Sequence, residues 1–300
     1  MTQTQTPTGK VMHNEPMSSH TSWRVGGLAD RLYIPGGVDD LSLFLKSLPH
    51  GEPIHFVGLG SNLLVRDGGV RGTVILLHGG SLDRLTIAQN TIYAEAGVTC
   101  AKLAKFSARQ HLHGAEFFSG IPGTVGGALA MNAGCHGSET WDVVHHALTI
   151  DRAGVVHERS QVALEIGYRH VGLPSEEWFV AAWFELEAGD ANVAEQKIKN
   201  LLAKRLESQP LNMPNAGSIF RNPDGDFAAR LIQSCGLKGY RLGGAQVSEK
   251  HANFIVNTGK ASAAEIEQLM AHVHETVLRE TGVDLQREVR IIGEAQRPEK

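Results

Sequence analysis

The chain has 300 residues, a length at which a hydrophobic core usually divides into more than one. Its 42% hydrophobic and 20% charged residues are ordinary for a globular protein, and a net charge of −4 supplies no global positive field to recruit nucleic acid. Cys100, Cys135 and Cys235 are too scattered for a disulfide framework or a cysteine metal site, and no apolar run approaches the roughly twenty residues that span a membrane, so a cytoplasmic protein is expected.

Residues 1–20 are rich in Thr, Ser, Asn and Pro and lack an apolar core, which predicts a flexible lead-in rather than a secretory signal. TSWRVGG at 21–27 leads into a short strand at 32–35. Leu41, Phe44, Leu45 and Leu48 then recur at helical spacing over 38–48, with Asp39 and Asp40 as cap candidates. An apolar strand at 54–57 ends in a Gly-rich turn, and 73–77 is a further strand. A second unit begins near Leu85 with a strand at 92–96 and a helix from Thr99 to about Gln110. After a second Gly-rich stretch come a hairpin (147–151 with 155–158), a long strand at 178–187 and a helix over 191–207. Lys204 and Arg205 suit the negative end of that helix, and Gln209-Pro210 stops it. The third unit carries a helix at 227–235 closed by Gly236, a strand at 254–256, a capping box from Ser262 to Glu265 opening a long amphipathic helix, and a strand at 288–292. Strands and helices alternate without a strict βαβ rhythm, so α+β units are expected: 21–84, 85–207 and 208–300.

The densest signal is GAEFFSGIPGTVGGALAMNAG, starting at Gly114. Gly120, Gly123, Gly126, Gly127 and Gly134 crowd together, and Pro122 interrupts any helix. Glycine is costly unless the backbone needs a positive φ or something must approach the main chain. The run reads as main chain laid against a bulky ligand, or as a tight inter-strand loop. Gly58-Leu59-Gly60-Ser61-Asn62 follows an apolar strand, where phosphate-binding turns sit. It is neither the Rossmann fingerprint nor a P-loop, but its N–H groups can nest a pyrophosphate; the plain alternative is a turn capped by Asn62. As a pair, the two Gly-rich loops look like halves of one dinucleotide cradle.

Four further places carry possible chemistry. Ser218, in Gly217-Ser218-Ile219-Phe220-Arg221-Asn222-Pro223, is outside G-x-S-x-G, so a nucleophile elbow is unsupported. It either satisfies turn backbone or donates a proton near a cation such as Arg221. Arg169, after Tyr168, either forks onto a carboxylate or lies on the surface. The segment 236–253 gathers Lys238, Tyr240, Arg241 and Lys250 among glycines, which suits an anionic, ring-bearing nucleotide sugar or else a solvated basic loop. Glu288 opens an apolar strand. The fifteen histidines form no H-x-x-H pattern and are read as surface or core residues, not metal ligands.

Together these motifs resemble the flavin-dependent UDP-N-acetylenolpyruvoylglucosamine reductases (UDP-N-acetylmuramate dehydrogenases). The resemblance runs from Asn14 and the TSWRVGG segment to Glu288-Val289-Arg290-Ile291-Ile292-Gly293-Glu294. It is marked by Gly58–Leu64, by Ser119-Gly120-Ile121-Pro122-Gly123-Thr124-Val125-Gly126-Gly127, by Tyr168-Arg169, by the Ser218 segment and by Gly243-Gly244-Ala245. It implies a two-part FAD-binding fold of the vanillyl-alcohol oxidase type and a C-terminal α+β substrate-binding domain whose last strand returns to the FAD-binding part. Non-covalent FAD would lie against Gly58, Leu59, Gly60, Ser61, Asn62, Ser119, Gly120, Ile121, Pro122, Gly123, Thr124, Gly126 and Gly127, with NADPH as hydride donor. The activity implied is reduction of a UDP-sugar enolpyruvyl ether in peptidoglycan precursor synthesis, by a cytoplasmic monomer.

By the same resemblance Arg169 and Glu288 hold and polarise the substrate carboxylate, and Ser218 gives the proton. Glu288 would have to keep or share its own proton. Tyr168, Arg205, Asn222, Lys238, Tyr240, Arg241 and His251 are the implied substrate contacts. The short interval from Arg169 to Ser218 matches the subclass lacking a tyrosine-bearing loop, leaving Tyr240 or another third-domain group to close over substrate. Arg221 stands where lysine is common, and His251 where another subclass has glutamine. Two rival readings are an oxidase of the same flavin fold acting on a hydroxy acid or sugar, and a catalytically silent nucleotide-sugar sensor. Joint retention of Arg169, Ser218 and Glu288 argues against the second.

Overall fold

A computed structural model of the chain describes residues 6–80 and 82–296. In chain order the first elements are β1 (Lys10–Pro16), β2 (Leu28–Ile34), α1 (Val38–Ser47), β3 (Ile54–Val57), β4 (Leu63–Val65), β5 (Val70–Leu76), β6 (Leu85–Ala88), β7 (Thr91–Glu95) and α2 (Cys100–Arg109). Later come α3 (Val125–Met131), α4 (Ala191–Ser208), α5 (Ala228–Ser234) and α6 (Ala263–Thr281). The chain divides into two compact units. One takes the described residues up to Met12, Leu32–Gly58 and Thr73–Arg205; the other takes His13–Arg31, Leu59–Gly72 and the described residues from Leu206 on. A four-stranded sheet has the order β1-β2-β5-β3.

In the first unit, β3 and β5 pair in parallel, with Ile54 opposite Thr73 and Val57 opposite Leu76. Tyr33, Leu41, Phe44, Leu45, Ile75 and Leu77 form a core that also takes Ala96, Ile150 and Val180, so residues on both sides of position 84 share it. A second core lies against an antiparallel five-stranded sheet, ordered (Val156–Ser160)-(Val144–Asp151)-(Glu177–Glu185)-β7-β6. Phe118, Leu129, Phe184 and Ala182 are fully or almost fully buried there. Thr99 caps α2 by accepting from Lys102 N, as the sequence predicts.

The stretch to His20, expected to be a flexible lead-in, is ordered: β1 is followed by a 3-10 turn at Met17–Ser19, while residues 1–5 lie outside the described residues. Composition misses it because β1 is largely exposed and polar. Local anchors hold it. The Asp40 carboxylate accepts from the N–H of Thr8, Gly9 and Gly36 and from the Tyr33 hydroxyl. Burial opposes ionisation of Asp40, but these donors together hold its carboxyl below the ordinary carboxylate range. In the second unit Met17 is fully buried, which stabilises the turn by about 2 kcal/mol.

The second unit has a core of Trp23, Leu64, Ile219, Phe220, Leu231, Val247, Ile255, Ile266, Leu269 and Val273. Trp23 is fully buried and donates its indole N–H to Ile255 O at 2.8 Å, so the TSWRVGG segment is a core plug. Helix α6 packs on a three-stranded antiparallel sheet, Arg241–Leu242, Ala245–Val247 and Ile255–Asn257. Its N-terminus carries the expected Ser262–Glu265 capping box, and the Asp67 carboxylate accepts from Ala263 N and Ala264 N. Gly282, with φ +74°, ends it. β4 pairs in parallel with Arg290–Ile292, Leu63 opposite Arg290. Among the described residues no helix is long and apolar enough to cross a membrane, and no group of three or more His, Cys, Asp or Glu side chains could hold a metal ion.

Candidate active site

The Gly-rich stretch of the first unit is more structured than a loop. Residues Glu116–Gly120 form a 3-10 turn, in which Ser119 Oγ donates to Glu116 O at 2.7 Å. Ile121 and Pro122 break the path, Thr124 caps α3 by accepting from Gly127 N, and Asn132 ends that helix in the left-handed region. The main chain of 123–126 is also already engaged. Cys100 N donates to Gly123 O (2.9 Å), Val125 N to Val98 O (2.8 Å) and Gly126 N to Ala96 O (2.9 Å). The N–H groups of Val125 and Gly126 are therefore committed to the fold: their hydrogen bonds anchor the start of α3 to the segment between β7 and α2.

The glycines separate by what a side chain would meet. A Cβ at Gly126 would lie 2.8 Å from Ala96 Cβ, and one at Gly120 would lie 2.7 Å from Cys135 Sγ, so packing demands both. A Cβ at Gly58, at the end of β3, would lie 2.4 Å from Thr124 Oγ1; here the two Gly-rich segments meet. Gly127 is different. It is exposed, and a Cβ there would meet nothing nearer than Thr124 Oγ1 at 3.8 Å. Packing does not require glycine at that position, and the main chain is left open to an approaching group.

Tyr168 and Arg169 form the two-residue loop between the paired strands Glu165–Gly167 and His170–Gly172. Arg169 takes φ +55°, a conformation L side chains seldom adopt. Its guanidinium donates from Nη2 to Gly134 O at 2.8 Å and from Nη1 to Asn132 O at 3.4 Å, and lies 5.0 Å from the Tyr168 ring centroid. The Gly-rich stretch thus holds this arginine. Arg205, near the end of α4, is half-buried, and burial pushes its guanidinium below the ordinary range. The Cys135 thiol is pushed up by burial against the opposing field of Arg205 and Arg169, which places both cations near one sulfur.

In the second unit the Gly60 turn, the Ser218 loop and the segment of Glu288 converge; Glu288 lies just ahead of the last strand, which starts at Arg290 rather than at 288 as expected. Gly60 has φ +61°, its Cβ position is 2.1 Å from His20 O, and its carbonyl accepts from Ser22 N at 3.1 Å. Asn62 Nδ2 donates to Glu288 O at 3.2 Å, and Arg290 N to Asn62 O at 3.0 Å. Glu288 N donates to Ile219 O and Arg221 N to Gln286 O, both 2.8 Å, so the residues flanking Ser218 are laced to those flanking Glu288. Gly217, with φ +76°, turns the chain into half-buried Ser218. Asn253 then clamps the next peptide. Its Oδ1 accepts from Phe220 N at 3.0 Å, its Nδ2 donates to Phe220 O at 2.8 Å, and its carbonyl accepts from Ile219 N at 2.9 Å.

The other expected substrate contacts divide. His251 is half-buried with its Nδ1 unpartnered; burial, then the nearby Lys238 charge, holds its pKa below the ordinary imidazole value. Lys238 and His251 therefore share a neighbourhood beside Asn253. Asn222 Oδ1 accepts from Ala228 N at 3.1 Å, at the start of α5. Tyr240 stacks on His272 of α6 with centroids 4.4 Å apart, and exposed Arg241 opens the small sheet. Motif reading missed Asn132 and Asn253. Asparagine is the usual non-glycine residue at a left-handed helix end, which was a signal for Asn132; nothing local marks Asn253.

Residues 29–160 match the family profile of an FAD binding domain, and residues 209–292 match that of the UDP-N-acetylenolpyruvoylglucosamine reductase C-terminal domain. The UDP-N-acetylenolpyruvoylglucosamine reductase of Nitrosospira multiformis is 56% identical, covering 97% of this chain and 91% of its own. That of Thiobacillus denitrificans is 57% identical over 96% and 94%. The crystal structure of the Thermus caldophilus reductase superposes with a TM-score of 0.81 at 31% identity, covering 95% of this chain and 98% of that one. An FAD-binding fold followed by the reductase C-terminal domain, matched along nearly the whole length, places this chain in the UDP-N-acetylenolpyruvoylglucosamine reductase family, as an FAD-dependent oxidoreductase.

Proposed function

We propose that the protein reduces UDP-N-acetyl-3-O-(1-carboxyvinyl)-glucosamine to UDP-N-acetylmuramate with NADPH, supplying a peptidoglycan precursor, and that it acts as a cytoplasmic monomer. Bound non-covalently, FAD would supply hydride chemistry, relaying two electrons from NADPH to the enolpyruvyl double bond. The residues assigned to hold it are Gly58–Asn62, 119–124, Gly126 and Gly127. Exposed Gly127, where a Cβ would be accommodated, suits a ligand pressed on the main chain.

The chain's own residues manage charge and the proton. As the terminal carbon accepts hydride, negative charge develops on the substrate carboxylate. Arg169 and Glu288 are assigned to bind that group, the first as a fixed cation and the second as a hydrogen-bond donor. Preorganised stabilisation of this kind is usually the largest catalytic term. Ser218 is assigned the proton delivered to the adjacent carbon, which completes the single bond. Tyr168, Arg205, Asn222, Lys238, Arg241 and His251 are assigned to the UDP-sugar, with Tyr240 closing over it.

The observation that carries this reading is the lacing of the Ser218 and Glu288 segments through Glu288 N and Ile219 O, which brings the segments bearing a hydroxyl and a carboxyl side by side in one unit. Ser218→Ala tests it by rapid mixing. Flavin bleaching by NADPH should stay near the parent rate, and flavin re-oxidation by the enolpyruvyl nucleotide should slow by about 10²–10⁴-fold, the usual worth of a positioned acid. Re-oxidation at the parent rate would remove Ser218 from the mechanism.

A further inference from the structure

We infer that Asn132 is the positioning residue of Arg169; this rests on the role proposed above for that arginine. Asn132 is 2% exposed and ends α3 with φ +41° and ψ 51°. Each polar function of its side chain is engaged within the same unit. Nδ2 donates to Glu139 Oε2 at 2.8 Å and to Gly167 O at 3.2 Å, and Oδ1 accepts from Trp141 N at 3.1 Å. Its own carbonyl accepts from Arg169 Nη1. One residue thus grips the hairpin at Gly167, immediately before the Tyr168-Arg169 loop, and also receives the guanidinium the loop carries.

The consequence is geometric. Arg169 has a long side chain and an unfavourable φ, and the Tyr168 ring 5.0 Å from its guanidinium sets no hydrogen-bond direction, so its aim depends on acceptors beyond the loop. The Asn132 amide ties the root of the hairpin to the end of α3, while Asn132 O and Gly134 O receive the tip of the arginine. Gly134 is held in turn, since a Cβ there would lie 2.4 Å from Ser138 O. Glycine at 132 would keep the left-handed cap but lose the tie. Aspartate would keep the acceptor for Trp141 N but could not donate to Gly167 O, and would set a second carboxylate against Glu139. Among residues that tolerate the left-handed region, asparagine alone serves the cap and all three partners.

The test compares FAD-loaded Asn132→Gly, Asn132→Asp, Arg169→Ala and the double variant Asn132→Gly/Arg169→Ala. Half-reactions are measured by rapid mixing and stability by thermal melting. For Asn132→Gly we expect flavin reduction by NADPH within about threefold of the parent. Re-oxidation by the enolpyruvyl nucleotide should be about 10–100-fold slower, the usual effect of a misplaced catalytic group. The double variant should be no slower than Arg169→Ala, because the two act as one unit. Additive losses, equal slowing of both half-reactions, or unimpaired re-oxidation would overturn the inference. So would loss of FAD or folding in both Asn132 variants, which would make the residue's side-chain bonds structural rather than positioning. If Arg169→Ala itself re-oxidises normally, the proposed role of Arg169 fails and the inference with it; if only Asn132→Gly does, the inference alone fails.

Discussion

Replacing Asn253 by alanine removes both partners of the Phe220 peptide unit in one step. Phe220 is 3% exposed, so its N–H and C=O, which now meet Asn253 Oδ1 at 3.0 Å and Nδ2 at 2.8 Å, would be left buried and unpaired. Each such group costs about 1–3 kcal/mol. Partial relaxation and entry of water offset some of this, so a loss of about 3 kcal/mol is expected in urea unfolding of the FAD-loaded protein. The clamp also sets the path of Ser218, two residues earlier. Re-oxidation by the enolpyruvyl nucleotide should therefore slow by about tenfold or more while bleaching by NADPH holds. Asn253→Asp keeps one partner and should fall between the parent and alanine on both measures. A loss below about 1 kcal/mol with unchanged re-oxidation would refute the reasoning that this amide shapes the serine loop.

Gly126→Ala forces a Cβ to within 2.8 Å of Ala96 Cβ and should destabilise the apo protein by about 1–3 kcal/mol, whereas Gly127→Ala meets no such obstacle and should fold at least as well as the parent. If Gly127 faces FAD, its alanine variant should instead bind FAD more weakly in a flavin titration; unchanged affinity would remove that contact. His251 has a lowered folded-state pKa, so protons bind the unfolded chain more readily and stability drains away as pH falls through the unfolded value of about 6.5. His251→Gln should flatten the acid side of the melting-temperature profile and change little above about pH 8, where both states are neutral; an unaltered acid limb would argue against it.

The elements legible in the sequence are those specified by neighbours in the chain. Thr99 capping α2 and the Ser262–Glu265 box on α6 are local chemistry, and both appear as expected. Helix α3 was not legible, because glycines and the upstream Pro122 conceal it. It exists because Val125 N and Gly126 N dock on Val98 and Ala96. Strand β1 was missed for the opposite reason: it has no apolar face to betray it, and its anchors, Asp40 and Tyr33, lie two dozen or more positions away.

The site divides in the same way. Glycine density singles out the stretch, but only tertiary contacts separate Gly126, which packing needs, from Gly127, which it does not. Asn132 and Asn253 act through partners 35 and 33 positions distant, Gly167 and Phe220, which no motif spacing encodes. The left-handed φ of Arg169 was equally hidden, since arginine carries no preference for it.

An anaerobic titration of the purified parent protein tests the central claim most directly. The account predicts a yellow protein with one FAD per chain, bleached by NADPH and restored to full colour by one equivalent of the enolpyruvyl nucleotide without oxygen. A colourless protein that takes up no FAD, or a reduced flavin that only oxygen re-oxidises, would contradict it.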